Sequence, residues 1–319
     1  MQDRPSIALV IPTHNRREKL ARAVSSALLQ TSPFDEIIVV DDASDSPVSY
    51  QELPSIQHPP HLNIIRNERN VGAGRSRVTG LRSSKCEIVA FLDSDDALHP
   101  EYVENILKIW GVADKNTAAV AVAFFWCTDD LTPYRVQVSP KVEFLTLLQK
   151  GNYVGGCSII SVRRDLASKI EFPTTRGAED WGYLLRIAKC YRIHTDHRPL
   201  VYYTSPSASS SDNMTKNYRR QILSVKRILR EHCDPTKAVA RKQRRTLAAL
   251  HLARAGRKRL ARRLIFGGLV QGEMRIQDTL KACAALILGG ETYSKILQKR
   301  TQIRAEKSKL GRAPEFELT

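Results

Sequence analysis

The sequence predicts an α/β fold in which helices flank a mostly parallel sheet, and three observations support this prediction. Short apolar runs rich in β-branched residues alternate with segments whose apolar residues recur at helical spacing. Polar and often acidic loops follow these runs. The apolar fraction of 42% and the charged fraction of 26% are those of an ordinary globular protein. Strands that alternate with helices form parallel sheets, and ligands bind beyond the carboxyl ends of such strands.

The first hundred residues supply the predicted βαβ units. A helix is expected from Arg17 to Leu29, because Leu20, Val24 and Leu28 lie at helical spacing. A second helix is expected through Arg77, after a glycine-containing loop. The apolar runs predict strands at 7–11, 36–40, 62–65 and 88–92.

Three carboxylates follow the fourth of these strands within four residues: Asp93, Asp95 and Asp96. Carboxylates this close repel one another, which favours a cation among them. Hard oxygen ligands favour Mg²⁺ or Mn²⁺, ions that also carry phosphorylated substrates. The alternative is a polar turn that caps the helix starting near Pro100, since turns also favour Asp and Ser.

A second acidic stretch, residues 177–181, opens a predicted helix. Trp181 and Leu184 lie on one face of that helix, so Glu179 and Asp180 occupy its first turn. The helix dipole favours acidic residues there whether or not they are functional. The surrounding chain predicts a helix at 101–110, strands at 118–125 and 201–203, a loop into a strand at 155–160 and a Ser-rich mobile loop or linker at 204–211.

Positive charge is concentrated in the C-terminal third. The net charge is +17, but residues 216–312 hold 26 Lys or Arg against 6 Asp or Glu, and the other residues are slightly acidic. This asymmetry predicts a catalytic domain at 1–212, a basic helical region at 213–312 and a tail at 313–319. It also points to a polyanionic partner: membrane phosphate, a phosphorylated acceptor or nucleic acid.

Other features limit the class of protein. The six cysteines form no CxxC pair, so neither a zinc site nor a disulfide framework is expected. The apolar stretches fall short of the ~20 residues of a membrane span, and the polar N-terminus runs straight into a strand. We therefore expect a cytoplasmic protein. Basic helices with apolar patches lie peripherally on an anionic membrane surface, here the inner face, or else are solvated faces of the protein.

Four segments carry a family resemblance: 10–16 (VIPTHNR), 38–44 (IVVDDAS), 70–72 (NVG) with Arg77 and Gly80, and 91–96 (FLDSDD) followed by Pro100. Together they resemble the nucleotide-sugar transferases of glycosyltransferase family 2, which share the GT-A fold. One departure is visible, because Ser76-Arg77-Val78 stands where the family usually has Ala-Arg-Asn.

The resemblance implies roles for the residues at the first, second and fourth strands. Thr13 and Asp41 contact the base and ribose of a nucleoside diphosphate sugar, with a strand-end turn and a helix N-cap as their structural alternatives. Asp93 and Ser94 lie near the nucleotide, and Asp95 holds a Mn²⁺ or Mg²⁺ ion that bridges the diphosphate. Arg77 supplies a further positive group to the nucleotide, or else lies on a solvated helix face.

The resemblance also implies an acceptor side. Asp180 is the general base that takes the proton of the acceptor hydroxyl. Glu179, Trp181 and Gly156 contact the acceptor or the donor sugar, although Trp181 fits equally well as a core aromatic residue.

Together these features predict an inverting, metal-dependent glycosyltransferase of cell-envelope polysaccharide or glycolipid synthesis. Its donor is a nucleoside diphosphate sugar, with UDP as the default, and its acceptor is a glycan or lipid-linked hydroxyl. A nucleotidyltransferase of similar architecture is one alternative and would release pyrophosphate. A nucleic-acid-binding protein is the other, but the basic region lacks the interleaved aromatic residues of stacking platforms, so nucleic acid is not expected as a partner.

Overall fold

The computed structural model describes residues 4–54, 62–138, 144, 145, 148, 155–175, 177–204, 218–232, 248, 249, 252, 253, 257–270, 276–308 and 310–314. The strands are β1 (Ile7–Thr13), β2 (Glu36–Asp41), β3 (Leu62–Arg66), β4 (Ile88–Phe91), β5 (Ala97–Leu98), β6 (Thr117–Cys127), β7 (Pro133–Gln137), β8 (Ile160–Arg163) and β9 (Arg192–Thr204). The helices are α1 (Arg17–Leu28), α2 (Ala73–Ser83), α3 (Tyr102–Val112), α4 (Arg164–Ala167), α5 (Glu179–Cys190), α6 (Tyr218–His232), α7 (Lys258–Val270), α8 (Ile276–Leu288) and α9 (Gly290–Glu306).

The strands within the described residues form one mixed sheet in the order β3-β2-β1-β4-β8-β6-β9-β5, with β7 beside β6. The first four strands in this order are parallel, as the βαβ pattern predicts. Beyond β4 the strand direction reverses, because β8 runs antiparallel to both β4 and β6. β6 and β9 are parallel to each other over most of their length. The parallel half therefore continues into a mixed half, and the site lies where they meet.

The central strands are apolar throughout because both of their faces are covered. Every residue of β1 and β4 is buried, which explains why these strands read as continuous apolar runs rather than alternating ones. Helix α2 packs closely on β1 at Gly80, where a Cβ would overlap the side chain of Val10. This close approach fixes the position of α2 and of the loop before it.

The basic C-terminal part contains two kinds of packing. Helix α6 belongs to the main core, to which it contributes Val225 and Ile228. A second, smaller cluster is formed further along the chain by residues that include Ala261, Ile265 and Tyr293. The domain boundaries at 212 and 312 remain a prediction, and most of the Ser-rich segment 204–211 lies outside the described residues. None of the described helices is both long and apolar enough to cross a membrane.

Candidate functional site

The carboxyl ends of β1, β2 and β4 bring most of the predicted site residues to one edge of the sheet. Thr13 ends β1 and Asp41 ends β2, and the two residues are register partners. Asp93, Asp95 and Asp96 follow β4, and one carboxylate oxygen from each lies within 4.8 Å of the others. The structure therefore assembles the acidic cluster that the sequence predicts at this position.

Asp96 anchors the acidic turn. Its side chain is buried, and the Ser158 hydroxyl donates to Oδ2 at 2.5 Å while the Thr204 N–H donates to Oδ1 at 2.7 Å. Burial raises the pKa of Asp96 well above its ordinary value, and the neighbouring Asp95 and Asp93 raise it further. Both carboxylate oxygens of Asp96 thus fix the acidic turn to Ser158 and Thr204 at the edge of the site.

Asp93 and Asp95 each face an arginine. Arg77 donates to Asp93 Oδ1, and Arg16 Nη1 donates to Asp95 Oδ2 at 2.9 Å. Burial raises the pKa of Asp95, and Asp93 adds to this effect, while Arg16 and Lys19 oppose it. Both carboxylates draw positive charge, and their oxygens are the hard donors that Mg²⁺ and Mn²⁺ prefer. The donor set fits a divalent cation.

Arg77 is buried rather than solvated, so the surface alternative for this residue is wrong. Its side chain is 5% exposed, and its Nε and Nη1 atoms have no hydrogen-bond partner among the described residues. Burial works to lower the pKa of Arg77, but Asp93, Cys157 and Glu179 outweigh it and raise the pKa. A buried guanidinium with unused donors beside an acidic cluster is suited to an anionic group that enters the site.

Asp41 is fully buried at the end of β2. Its Oδ1 accepts the Ser44 N–H at 2.9 Å, and its Oδ2 accepts the Val48 N–H and the Arg66 guanidinium. Burial works to raise the pKa of Asp41, but these hydrogen bonds outweigh it and the pKa is lowered. Asp41 therefore organises the loop after β2 through contacts that a nucleotide does not supply.

Asp42, its neighbour, has a structural task of its own. Its Oδ1 accepts hydrogen bonds from Asn67 Nδ2 and the Val71 N–H, both at 2.9 Å, and its Oδ2 accepts the Gly72 N–H at 2.7 Å. The Asp42 N–H in turn donates to the Thr13 carbonyl at 2.8 Å. The Thr13 and Ser94 side chains lie in this same buried edge, being 4% and 3% exposed. The loop before α2 is thus fixed by one carboxylate.

Helix α5 begins at the second acidic stretch, as the sequence predicts. Glu179 is 7% exposed, and burial raises its pKa although Arg77 opposes this. Asp180 is partly exposed in the first helical turn. Trp181 takes the core alternative, because it is 1% exposed and its indole N–H donates to the Leu148 carbonyl at 2.8 Å. Its ring is therefore not placed to contact a sugar.

The pKa of Tyr203 in β9 responds to the charges of both acidic stretches. Burial raises the pKa of Tyr203 well above its ordinary value, and Asp96, Asp93, Asp180 and Asp95 raise it further. The predicted base and the acidic cluster therefore act on one phenol group.

Gly156 lies directly against Tyr203. A Cβ at this position would come within 2.8 Å of the Tyr203 hydroxyl, so only glycine leaves the ring where it is. A pocket of about 350 Å³ lies elsewhere along the site, between the start of α2 and residues 173–175. Arg69 and Arg75 contribute positive charge to its lining, and Glu179 also lines it.

Three residues with clear tasks at the site were assigned no role by the sequence analysis: Arg16, Ser158 and Thr204. Arg16 belongs to the segment 10–16, which is one of the four segments of the family resemblance, so the sequence did mark this residue. Ser158 and Thr204 bind Asp96 from 62 and 108 residues away, and no local pattern marks them. Such partners become visible only when the fold brings them together.

Comparisons with known proteins agree with this geometry. The chain is 38% identical over 242 residues to the poly(ribitol-phosphate) β-N-acetylglucosaminyltransferase TarP of Staphylococcus aureus, covering 69% of each chain. It is 26% identical to an Escherichia coli enzyme, the UDP-Glc:α-D-GlcNAc-diphosphoundecaprenol β-1,3-glucosyltransferase WfgD, covering 67% of this chain and 83% of the relative.

The fold is shared with solved structures. The mannosyltransferase PcManGT from Pyrobaculum calidifontis, solved with GDP-Man and Mn²⁺, superposes with a TM-score of 0.54 at 19% identity, covering 96% of this chain and 87% of the other. This likeness confirms the predicted GT-A fold. The family model described as "Glycosyl transferase family 2" matches residues 8–170. The acidic cluster at the sheet edge, the GT-A fold and the family match together show that this chain is a glycosyltransferase of family 2.

Proposed function

We propose that the protein transfers a sugar, with inversion at the anomeric carbon, from a nucleoside diphosphate sugar to an acceptor hydroxyl. The observation that carries the proposal is the acidic cluster at the carboxyl edge of the sheet, where one carboxylate oxygen from each of Asp93, Asp95 and Asp96 lies within 4.8 Å of the others. Such a transfer requires an acidic cluster that binds a metal ion and a carboxylate that acts as the general base.

Asp180 is the proposed base. It accepts the proton of the acceptor hydroxyl while that oxygen attacks the anomeric carbon, and the bond from this carbon to the diphosphate oxygen breaks on the opposite face. The product carries the new glycosidic bond with inverted configuration, and a nucleoside diphosphate leaves. Glu179, the neighbour of Asp180 in the first turn of α5, is buried, and the charge of Arg77 opposes the rise in its pKa.

The proposed metal ligands are Asp95 and Asp93, since both oxygens of Asp96 already accept hydrogen bonds within the protein. These two residues would hold Mn²⁺ or Mg²⁺, and the ion would supply positive charge to the leaving diphosphate. Arg16 and Arg77 now pair with the same two carboxylates. Both guanidinium groups stand beside the proposed cation ligands and would bind diphosphate oxygens, and the donors of Arg77 that have no partner among the described residues support this role.

The donor base and the acceptor class are proposed from the relatives. TarP is named for transfer to poly(ribitol phosphate) and WfgD for transfer from UDP-Glc to a lipid diphosphate. We expect a UDP-sugar donor and an acceptor of the cell envelope. Thr13 and Ser94, both buried, are the proposed contacts to the nucleotide, and Asp41 contributes chiefly by shaping the loop after β2.

A peripheral position on an anionic membrane is proposed from helix α7. Arg259, Arg263, Phe266 and Val270 recur at spacings of four, three and four residues and so share one face, which is exposed. Phe266 is 71% and Val270 is 70% exposed. A helix face with two cations followed by two large apolar side chains matches the headgroup and acyl layers of an anionic leaflet.

The proposal is tested by donor hydrolysis and transfer assays with UDP-Glc, UDP-GlcNAc and GDP-Man, in Mn²⁺, Mg²⁺ and chelator. Wild-type protein should release nucleoside diphosphate from one donor, and Asp95→Asn should abolish the release. Asp180→Asn should retain donor binding while transfer falls by about 10²–10⁴-fold, the usual contribution of a general base. The matched control is Asp165→Asn, because Asp165 also lies in the first turn of a helix, α4.

Two outcomes would contradict the proposal. Release of pyrophosphate from nucleoside triphosphates would favour the nucleotidyltransferase alternative. Donor binding that is equally strong with metal and with chelator would refute the assignment of Asp95 and Asp93 as metal ligands.

A further inference from the structure

A row of three side chains crosses the sheet beside the proposed reaction centre. Arg135 of β7 is the register partner of Trp126 of β6, and Trp126 is the register partner of Tyr203 of β9. Register partners on neighbouring strands point to the same face, so the three side chains form one continuous line. Because Tyr203 directly precedes Thr204, whose N–H binds Asp96, the line leads from the acidic cluster to the outer strand β7.

The contacts along this row are close and specific. The Trp126 and Tyr203 ring centroids are 5.3 Å apart with the rings nearly perpendicular, and Phe124 packs against both at 5.2 Å. The Arg135 guanidinium carbon lies 5.5 Å from the centroid of the Trp126 ring. Stacking on an aromatic face holds a guanidinium in one plane and leaves its N–H edge free to bind.

Arg135 carries a charge that no described carboxylate neutralises. Among the residues that the structure describes, Arg135 pairs with no carboxylate, and its guanidinium donates to the side-chain oxygen of Gln137. Arg16, Arg66 and Arg77 differ, because each is paired with an aspartate. Arg135 is also exposed, so a solute reaches it without any rearrangement of the core.

We propose that Arg135, held in place by Trp126, is an anion-binding subsite for the acceptor and that it recognises a phosphate group near the reacting hydroxyl. The inference rests on the proposed transfer to an acceptor at Asp180. The class of acceptor is a phosphate-bearing saccharide or polyol, in which the phosphate contacts Arg135 while the neighbouring hydroxyl reaches Asp180. A planar guanidinium suits phosphate because it donates two parallel hydrogen bonds.

Two sources of phosphate share this chemistry: a phosphodiester in a polymer and the diphosphate of a lipid carrier. Calorimetric titrations of the full-length protein with ribitol-phosphate oligomers and with GlcNAc 1-diphosphate distinguish them. Free ribitol and methyl N-acetylglucosaminide are the uncharged counterparts. We expect one phosphate probe to bind, its uncharged counterpart to bind at least about tenfold more weakly, and added salt to weaken the binding of the phosphate probe.

The variants test whether Arg135 provides the site. Arg135→Gln should weaken binding of the phosphate probe by about tenfold or more, since a hydrogen bond to a charged group is lost. Arg135→Lys should recover only part of the affinity, because lysine keeps the charge but not the planar stacking. Arg82→Gln, at an exposed arginine in the last turn of α2, is the charge-matched control and should change nothing.

Each result supports or overturns the subsite. Absence of binding by both phosphate probes, or equal binding by wild type and Arg135→Gln, would overturn it. Metal-dependent binding of the donor is measured on the same samples and should be unchanged in Arg135→Gln. Absence of donor binding by the wild-type protein would instead count against the proposed transferase function. Failure of the subsite and failure of the transferase function are therefore distinguishable.

Discussion

Aspartates at the edge of the sheet have two different tasks although their sequence surroundings look alike. Asp42 and Asp96 use both of their oxygens to fix loops of the protein. Asp93 and Asp95 instead face arginines, and their oxygens remain the best available ligands for a cation. The four carboxylates thus differ in their partners: backbone and side-chain donors of the loops for Asp42 and Asp96, and arginines for Asp93 and Asp95.

Ser158→Ala tests the first of these tasks. The substitution removes the hydroxyl that donates to Asp96 and accepts the Asp93 N–H at 2.9 Å. Because it leaves buried polar groups without partners, we expect the free energy of unfolding to fall by about 1–3 kcal/mol. Urea denaturation measures the change. Ser83→Ala, at an exposed serine that donates to the Thr79 carbonyl, is the control and should be nearly neutral.

The sequence was sufficient to place the acidic residues at the site but not to separate their tasks. Asp93, Asp95 and Asp96 follow a buried apolar run, and that pattern alone puts them at the carboxyl edge. The partners that distinguish Asp96 are Ser158 and Thr204, which lie far along the chain in segments with weak local signals. Likewise, nothing near Arg77 in the sequence shows that α2 turns this residue into the core.

At the scale of single elements, the packing of α2 on β1 positions Arg77 and the loop held by Asp42. Gly80→Ala should be destabilising by about 1–3 kcal/mol, because a methyl group there overlaps Val10 and overpacking costs more than the gain in helix propensity. Gly111→Ala in α3 is the matched control. A Cβ at Gly111 meets no atom within 4 Å, so this change should be neutral or stabilising by up to ~1 kcal/mol.

Thermal denaturation of the two variants measures this difference. Equal melting temperatures for Gly80→Ala and Gly111→Ala would show that α2 shifts away from β1 without cost. In that case, the close packing of α2 would not be what positions Arg77.

Helix α6 docks on α5 through a contact that depends on pH. The His232 side chain is 7% exposed, and Lys189 Nζ donates to its Nδ1 at 3.1 Å. Burial, Lys189 and Arg186 together lower the pKa of His232 to about 4, although Glu231 opposes them. The folded protein therefore holds a neutral imidazole, whereas the unfolded chain takes up a proton near the ordinary pKa of 6.5.

The sign of the effect follows from this difference. The stabilising contribution is complete above pH 6.5 and is lost as the pH falls toward about 4. We expect a loss of about 1–3 kcal/mol over this interval, with solvent screening taken into account. In urea denaturation at several pH values, His232→Gln should flatten this dependence, and His197→Gln at an exposed position of β9 should not. A slope that persists in His232→Gln would contradict the assignment.

At the scale of the whole molecule, the positive charge and the exposed apolar side chains of α7 predict binding to anionic vesicles. Wild-type protein should sediment with vesicles that contain phosphatidylglycerol and not with pure phosphatidylcholine, and salt should weaken the binding. Phe266→Ser combined with Val270→Ser should reduce the bound fraction severalfold. The control is Val112→Ser, because Val112 is 86% exposed but lies outside the basic region.

Comparing vesicle binding with DNA binding distinguishes a membrane partner from other polyanions. Equal binding to DNA and to anionic vesicles, unaffected by the apolar substitutions, would show that α7 acts through charge alone. Such a result would revive the nucleic-acid alternative.

The two halves of the sheet differ in how well the sequence predicts them. The parallel half consists of apolar runs separated by amphipathic helices, and each run is recognisable by itself. In the mixed half, β9 extends from Arg192 to Thr204, yet only its last residues form an apolar run. Its first part is polar and largely exposed, so it resembles a loop in the sequence although it pairs along β6.

The hydrogen bond from Thr204 to Asp96 has a consequence for biosynthesis. Residues 93–96 are made early, but the N–H that fixes Asp96 emerges from the ribosome only 108 residues later. During translation the acidic turn therefore lacks its anchor, and β6 waits for β9 as its parallel neighbour. Pairings of this range form slowly, so a nascent chain exposes the edge of β6 that faces β9 until β9 has been made.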